Sequence, residues 1–295
     1  MIINSGTIRG LYTSFKTIFN KALDTTVPMW DKVATVVPST TGESTYAWLG
    51  SFPRLREWIG SRQVKNLAAS DYTLKNKDFE STVSVPKNAI MDDQIGLYNP
   101  MMQDMGQSAA LWPDTLVFPL LKKGFKEKCY DGNPFYSESH KIGKLGYTNK
   151  ATKVLSKDSF LVGRSKMMSL KDEEGNSLNI LPNILVVPPA LEAMGREILY
   201  ADQINGTTNT CKGMAELLVV PELAGEDTAW HLLCTTKAIK PIIFQERQKP
   251  QFVSKDSETD DNVFMRKEYL YGTDARGNAG YSFWQMAYGS TGTTN

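Results

Sequence analysis

The pattern of apolar positions between residues 99 and 124 predicts a long helix. Asn99 is expected at the N-cap and Pro100 at the first helical position, where the missing N–H costs nothing. Pro113 and Pro119 each remove an internal hydrogen bond, so we expect a kink near the first proline and a weakening or break before the second. Apolar or small residues recur three or four positions apart and share one helical face: Met102, Met105, Ala109, Trp112, Leu116 and Leu120.

The first part of the chain repeats this pattern on a smaller scale. Residues 7–24 carry apolar side chains at helical spacing and predict an amphipathic N-terminal helix. A short β-branched run at residues 33–37 then predicts a strand, which Pro38 and a polar linker at residues 39–43 bring to an end.

Residues 44–85 mix strand-like flanks with an unusual centre. Tyr46 and Trp48 precede the centre, and apolar residues alternate with polar ones from Phe79 to Val85 after it. An isolated pair of strands cannot bury the residues between them, so we interpret the segment as a long hairpin that packs on something else. An ordinary sheet covered by the long helix remains the alternative. The central side chains combine large apolar groups with charges: Phe52, Arg54, Leu55, Arg56, Glu57, Trp58, Ile59 and Arg62.

The second half of the chain predicts a compact α/β unit from residue 178 to about residue 249. The polar stretch before it, up to Asn176, is expected to be a long loop. Ile184 to Val187 forms a buried strand stopped by two prolines, and a helix follows at residues 190–200. Residues 217–221 repeat the sequence Leu-Val-Val-Pro, which indicates a neighbouring strand of the same sheet.

The C-terminal part is rich in aromatic residues and reads as strands. Residues 262–288 predict a long hairpin that returns to the first long helix, with a turn at residues 274–278 around Gly277. Helices and strands mix without a repeating βαβ rhythm, so the predicted fold class is α+β.

Composition limits the function classes. The chain has 295 residues and a formal net charge of +1, which argues against a surface built to bind phosphate backbones. Residues 1–10 contain no apolar core flanked by basic residues, and no apolar run approaches 18 residues, so neither a signal peptide nor a membrane span is expected. The three cysteines are too few and too scattered for a disulfide framework, and a reducing compartment is the default.

Catalytic chemistry has one weak candidate. Cys129, Asp131 and His140 could provide a thiol nucleophile and an imidazole base, although Asp131-Gly-Asn-Pro is better explained as turn chemistry. The acidic run at residues 256–261 lacks the glycine and terminal glutamate of a calcium loop and is interpreted as a solvated loop. We therefore predict no catalytic residue, no cofactor and no metal. A Cys/His hydrolase and a monomeric adaptor module remain alternatives to a structural protein.

The amino-acid sequence of several segments resembles that of the major head subunit of Mu-like phages and prophages, a branch of the HK97-type major capsid proteins. These segments occur in order over nearly the whole chain: Thr35-Val-Val-Pro-Ser-Thr-Thr, Tyr46-Ala-Trp-Leu-Gly, Leu55-Arg-Glu-Trp-Ile-Gly, Lys75-Asn-Lys-Asp-Phe-Glu, Cys129-Tyr-Asp-Gly-Asn-Pro-Phe and Asp261-Asn-Val-Phe-Met-Arg-Lys-Glu-Tyr-Leu-Tyr-Gly.

The resemblance implies an α+β, HK97-like capsid fold with named parts. These are an N-terminal arm (1–42), an extended β-hairpin loop (43–89), a peripheral domain with the spine helix (90–177), an axial domain (178–249) and a return to the peripheral domain with C-terminal strands (250–295).

The resemblance also implies a function and partners. The chain would self-assemble into the hexamers and pentamers of an icosahedral shell around double-stranded DNA, without sequence readout and without a membrane. A scaffold or protease and a portal would be further partners, with assembly in the host cytoplasm and the virion as final location. Extended-loop residues would contact neighbouring subunits: Trp48, Phe52, Arg54, Arg56, Glu57, Trp58 and Arg62.

Overall fold

The computed structural model describes residues 4–46, 49, 72–92 and 94–293. Its helices are α1 (Ser5–Thr25), α2 (Lys87–Met91), α3 (Asn99–Lys123), α4 (Lys157–Met168), α5 (Glu192–Tyr200) and α6 (Asp261–Arg266). Its strands are β1 (Ala34–Pro38), β2 (Glu43–Thr45), β3 (Thr73–Lys75), β4 (Lys77–Pro86), β5 (His140–Ile142), β6 (Leu145–Tyr147), β7 (Lys150–Ala151), β8 (Ile184–Val187), β9 (Gln203–Ile204), β10 (Thr207–Thr208), β11 (Glu216–Val219), β12 (Trp230–Leu233), β13 (Ile242–Lys255), β14 (Glu268–Tyr281) and β15 (Ala287–Ser290).

Helices α1 and α3 pack directly against each other. The Asn4 side chain accepts a hydrogen bond from the Thr7 backbone N–H, and the Thr7 hydroxyl accepts one from the Asn4 N–H, which caps α1. At the crossing, Gly106 of α3 lies so close to α1 that a Cβ there would be 2.4 Å from the Phe19 carbonyl oxygen. The buried face of α1 agrees with its predicted periodicity and consists of Ile8, Leu11, Phe15, Phe19 and Ala22.

A four-stranded sheet lies under α3, in the order β1-β13-β14-β4. Strands β13 and β14 form a long antiparallel pair, β4 pairs antiparallel with β14, and β1 pairs parallel with β13. Trp112 of α3 packs against this sheet, with its ring centroid 5.1 Å from that of Phe79 and 5.4 Å from that of Phe244. The long helix therefore belongs to the core.

A second sheet contains five strands in the order β11-β8-β12-β15-β7. The two Leu-Val-Val strands, β8 and β11, are hydrogen-bonded neighbours as the sequence predicts, and they run parallel. Helix α5 lies between them in the chain, so the strand, helix and neighbouring strand predicted for the α/β unit form one βαβ unit. Strand β13 belongs to the first sheet from Ile242 onward, and β15 brings the C-terminal residues into the second sheet.

Helix α3 differs from its prediction in its N-terminal cap and at its second internal proline. Tyr98 occupies the cap position, and Asn99 already has helical backbone angles. The helix runs continuously through Pro113 and Pro119, so the predicted break before Pro119 is wrong. Burial of the surrounding face, including Val117 and Phe118, offsets the lost hydrogen bonds, because each large apolar side chain contributes about 1.5–3 kcal/mol.

Two further predictions are wrong in the second half of the chain. Residues 274–278 form no turn, because they lie inside β14 and pair with strands on both sides. The hairpin bend lies instead between β13 and β14, where the acidic run leads into α6. The predicted long loop before Asn176 contains α4, which begins with a reciprocal Ser156–Ser159 cap and buries Phe160 and Met167.

Candidate assembly surface and the Cys129 cluster

The predicted contact residues of the extended loop, Trp48, Phe52, Arg54, Arg56, Glu57, Trp58 and Arg62, lie outside the described residues. The two ends of that segment are described. Strands β2 and β3 pair antiparallel, and the Tyr46 N–H donates to the Tyr72 carbonyl oxygen at 2.9 Å. The two ends of the segment therefore lie next to each other, and we call β2, β3, Tyr46 and Tyr72 the base of the loop.

Buried hydrogen bonds anchor this base to the four-stranded sheet. The Tyr46 hydroxyl donates to Gln245 Oε1 at 2.7 Å, and Gln245 Nε2 donates to Asn76 Oδ1 at 2.7 Å. Gln245 belongs to β13 and is fully buried. On the other side of the base, the Tyr281 N–H donates to the Tyr72 hydroxyl at 2.8 Å. The base is thus joined to the central strands of the sheet, not only to itself.

A second surface collects exposed apolar side chains at the far end of the same sheet. Phe264 and Met265 of α6 are 81% and 75% exposed, and Met91 of α2 is 51% exposed. The two short helices lie together, because the Lys87 N–H donates to the Lys267 carbonyl oxygen at 2.8 Å. The sequence pattern predicts a strand around Phe264 and does not indicate this surface. The helix α6 has only six residues, which is too short to show a recognisable helical period.

The fold brings Cys129, Asp131 and His140 together. The Cys129 thiol donates to Asp131 Oδ1 at 3.2 Å, and His140 Nδ1 lies 2.6 Å from Asp131 Oδ2. His140 Nε2 faces the Phe135 carbonyl oxygen at 3.2 Å. The His140 ring is fully buried and stacks on Trp284, with ring centroids 4.1 Å apart. The turn between Cys129 and Phe135 follows the predicted chemistry: Gly132 has a φ of +81° and the Asn133 N–H donates to Asp131 Oδ1.

This geometry does not make a thiol nucleophile. Burial, followed by the negative charge of Asp131, raises the pKa of the Cys129 thiol, so the sulfur keeps its proton at neutral pH. The thiol points to the carboxylate and not to an imidazole base. Burial alone would raise the pKa of Asp131, but the His140 hydrogen bond and charge outweigh it and lower that pKa. The cluster is a hydrogen-bonded network around an ionised carboxylate.

A second histidine lies in the five-stranded sheet. His231 is in β12, is buried, and packs beside the rings of Phe125 and Tyr136, whose centroids are 5.8 and 5.3 Å away. Its Nδ1 atom has no hydrogen-bond partner among the described residues. Burial lowers the pKa of His231 to about 3, so the ring is neutral in the folded chain.

We expect His231 to make the subunit acid-sensitive. The unfolded chain takes up a proton near the ordinary histidine pKa of about 6.5, whereas His231 in the folded chain is protonated only near pH 3. The free energy of unfolding should therefore decrease as the pH is lowered from about 6.5 to about 3. The slope should reach about 1.4 kcal/mol per pH unit. Denaturant unfolding of the parent and of His231→Leu at about pH 6 and about pH 4 measures it. An unchanged slope in His231→Leu would contradict the assignment.

The remaining charged candidate is the acidic run at residues 256–261. Its side chains lie at the exposed bend between β13 and β14, where Asp260 Oδ2 accepts a hydrogen bond from the Ser257 N–H at 2.9 Å. This agrees with a solvated loop. Among the described helices, none has both the length and the apolar character needed to cross a bilayer.

Comparison with known proteins places this fold in a family. The family model for the Mu-like prophage major head subunit gpT matches residues 8–154, 144–223 and 222–295. The major capsid protein of Escherichia phage Mu is 34% identical over 287 residues, which cover 97% of this chain and 74% of that protein. The Mu-like prophage FluMu major head subunit of Haemophilus influenzae is 30% identical over 285 residues, with 97% and 73% covered.

Solved structures give the same result. A chain of the procapsid of bacteriophage JBD30 is 37% identical, with a TM-score of 0.65 over 99% of this chain and 77% of that chain. A chain of the JBD30 capsid is 26% identical, with a TM-score of 0.56 and 98% and 73% covered. A chain of the virus-like particle of Pyrococcus furiosus, 11% identical with a TM-score of 0.52 and 94% and 97% covered, shares the fold alone.

These matches confirm the α+β, HK97-like capsid fold and a structural role rather than an enzymatic one. The hydrolase alternative has no support from them, and the adaptor alternative gives way to a shell subunit. From its sequence and its fold together, the chain belongs to the family of Mu-like prophage major head subunits, the structural proteins of phage capsids.

Proposed function

We propose that this chain assembles into hexamers and pentamers that close an icosahedral shell around double-stranded DNA. The observation that carries the proposal is the likeness to the JBD30 procapsid chain over 99% of this chain. Repeated heterologous contacts around a ring can build such closed assemblies. The five parts predicted from the sequence, with boundaries after residues 42, 89, 177 and 249, belong to this proposal.

The extended loop is proposed as the main contact between subunits. Its base is hydrogen-bonded to the four-stranded sheet through Tyr46 and Gln245. Anchoring the base is expected to reduce the entropy lost when the loop binds a neighbour. Trp58 and the loop arginines are residue types that dominate protein interfaces.

The exposed apolar end of the sheet is proposed as a second contact. Phe264, Met265 and Met91 lie on adjacent short helices and expose most or half of their side-chain surface. Burying such side chains against another copy would contribute about 25 cal/mol per Å² of apolar surface removed from water. The base of the loop and the surface on α2 and α6 lie at opposite ends of the long β13–β14 pair, which suits a subunit with neighbours on several sides.

Further partners follow from the proposed shell. The net charge of +1 favours weak contact with packaged DNA, without base readout. A portal, and a scaffold or protease during assembly in the host cytoplasm, complete the proposed set.

Salt and charge provide the test of the loop contact. Arg56→Glu should weaken assembly with little change in the melting of the subunit, because a rim arginine acts across the interface and not within the fold. High salt should weaken the parent as well, since screening acts over about 8–10 Å. Sedimentation velocity at rising concentration and at low and high salt measures both effects. The matched control is Arg196→Glu, which changes an exposed arginine that pairs with Glu192 inside α5. Equal assembly by parent, Arg56→Glu and Arg196→Glu would reject the loop contact.

A further inference from the structure

The cluster of Cys129, Asp131 and His140 has the composition of a transition-metal site. Its three potential ligand atoms, a thiol sulfur, a carboxylate oxygen and a ring nitrogen, all lie within 4.8 Å of one another. Sulfur, nitrogen and oxygen together suit zinc and similar divalent ions, whereas magnesium and calcium prefer oxygen alone.

Two of the distances between ligand atoms can be compared with those of a tetrahedral zinc site. Zinc bonds of about 2.0 Å to nitrogen or oxygen and about 2.3 Å to sulfur place neighbouring ligand atoms roughly 3.3–3.5 Å apart. Here Cys129 Sγ lies 3.2 Å from Asp131 Oδ1, and His140 Nδ1 lies 2.6 Å from Asp131 Oδ2. The sulfur–oxygen distance is therefore within about 0.3 Å of a zinc site, whereas the imidazole and the carboxylate would have to separate by roughly 0.7 Å to admit the ion.

The orientation of His140 provides an independent argument. Its Nε2 atom lies 3.2 Å from the Phe135 carbonyl oxygen, a suitable acceptor for an Nε2–H group. Its Nδ1 atom lies 2.6 Å from Asp131 Oδ2, as in a hydrogen bond whose hydrogen lies between the two atoms. A metal ion bound to Nδ1 and to the carboxylate would replace that hydrogen, with the ring N–H on Nε2. Donation of the other ring N–H to a backbone carbonyl is the usual support for a metal-bound histidine.

The surroundings hold the ligands in place. Asp131 accepts hydrogen bonds from the Asn133 backbone N–H at 3.0 Å, and the His140 ring stacks on Trp284. The Asp131 side chain is 18% exposed, which leaves a route for the ion and a position for a water ligand. No familiar ligand spacing marks these residues, which explains why the sequence predicts no metal.

We propose that Cys129, Asp131 and His140 bind one zinc-like divalent cation per chain. Binding forms a metal–sulfur bond in place of the thiol S–H bond, and it also displaces the hydrogen between His140 Nδ1 and Asp131; the thiol proton and this displaced proton pass to solvent. The site joins the turn after α3 to β5, so the ion should stabilise this junction in the folded subunit.

The test uses Co²⁺ as a spectroscopic probe on the purified full chain after EDTA treatment. The parent should bind one Co²⁺ per chain, show a thiolate-to-cobalt charge-transfer band, and lose the band when Zn²⁺ is added. Cys129→Ala should lose the band and bind more than about tenfold more weakly. The matched control is Cys234→Ala, which removes another buried cysteine, at the end of β12, and should keep the band.

Two results would overturn the proposal. One is a parent chain without the charge-transfer band at saturating Co²⁺. The other is equal Co²⁺ binding by the parent and by Cys129→Ala, provided that Cys129→Ala melts cooperatively, since this would mark nonspecific surface binding. Cys129→Ala keeps the hydrogen bonds of the Cys129 backbone and replaces one small buried side chain with another, so the variant is expected to fold.

Discussion

A chain in which residues 51–71 are replaced by a short Gly/Ser turn is expected to fold but to form no closed shells. The flanking base remains, because the hydrogen bonds of Tyr46, Tyr72 and Gln245 lie outside the replaced residues. Among the described residues, the core around α3 and the two sheets includes Tyr46 and Leu49 before the segment and Leu74 after it. Calorimetry should show one cooperative melting transition, and sedimentation should show a single small species where the parent assembles.

The comparison must separate a lost contact from a lost fold. The parent and the shortened chain are therefore measured at the same concentrations and salt. Full assembly by the shortened chain would show that the loop is dispensable. An unfolded or insoluble product would assign the segment to the core of its own subunit, and the extended-loop assignment would then be wrong.

The substitution Gly106→Val is expected to destabilise the subunit by about 3 kcal/mol, because overpacking at a fixed backbone contact has no room to relax. A Cβ at residue 106 would meet the Phe19 carbonyl oxygen at 2.4 Å and the Ala22 Cβ at 2.9 Å. The first of these atoms belongs to the α1 backbone and moves only if the whole helix moves. Denaturant unfolding and the melting temperature measure the loss.

The matched control is Gly10→Val, the same change on the partner helix. Gly10 is exposed in α1, and a Cβ there meets nothing within 4 Å. Valine is a better helix former than glycine, so this variant should be neutral or slightly stabilised. Equal losses for the two variants would indicate a general intolerance of valine, and no loss for Gly106→Val would contradict the close helix crossing.

The spacing of apolar residues was sufficient to predict helices that bury one face and a strand that is apolar throughout. Helices α1 and α3 and strand β8 have long or uniform apolar patterns, and the structure has them at the predicted places. Helix α4 could not be predicted this way, because its buried face combines Phe160 and Met167 with Gly163, and a glycine carries no apolar pattern. Gly163 is buried since the Tyr288 ring packs directly over it.

The error at residues 274–278 has a physical cause. Asp274, Gly277 and Asn278 are typical turn residues, but here they lie in a central strand. The residues that face α3, namely Ala275, Gly277 and Ala279, are small because that helix passes close by: a Cβ at Gly277 would be 3.2 Å from the Trp112 ring. Tertiary packing therefore decided the conformation against local propensity.

The candidate sites were predictable to different degrees. The family resemblance identified the loop segment and its contact residues, which remain predictions. The approach of His140 to Cys129 and Asp131 depends on where β5 lies relative to the turn after α3, and no spacing rule gives that. The exposed Phe264 and Met265 surface depends on α6, whose six residues are too few for a helical period.

Electron microscopy of the expressed full chain, alone and with a scaffold partner, tests the central claim most directly. If the chain is a head subunit, the images should show rings, tubes or closed isometric shells. The shells should be most abundant at low salt and high concentration. Single particles of one 32.9 kDa chain under every condition, with the scaffold also present, would contradict the role of this chain as a shell subunit.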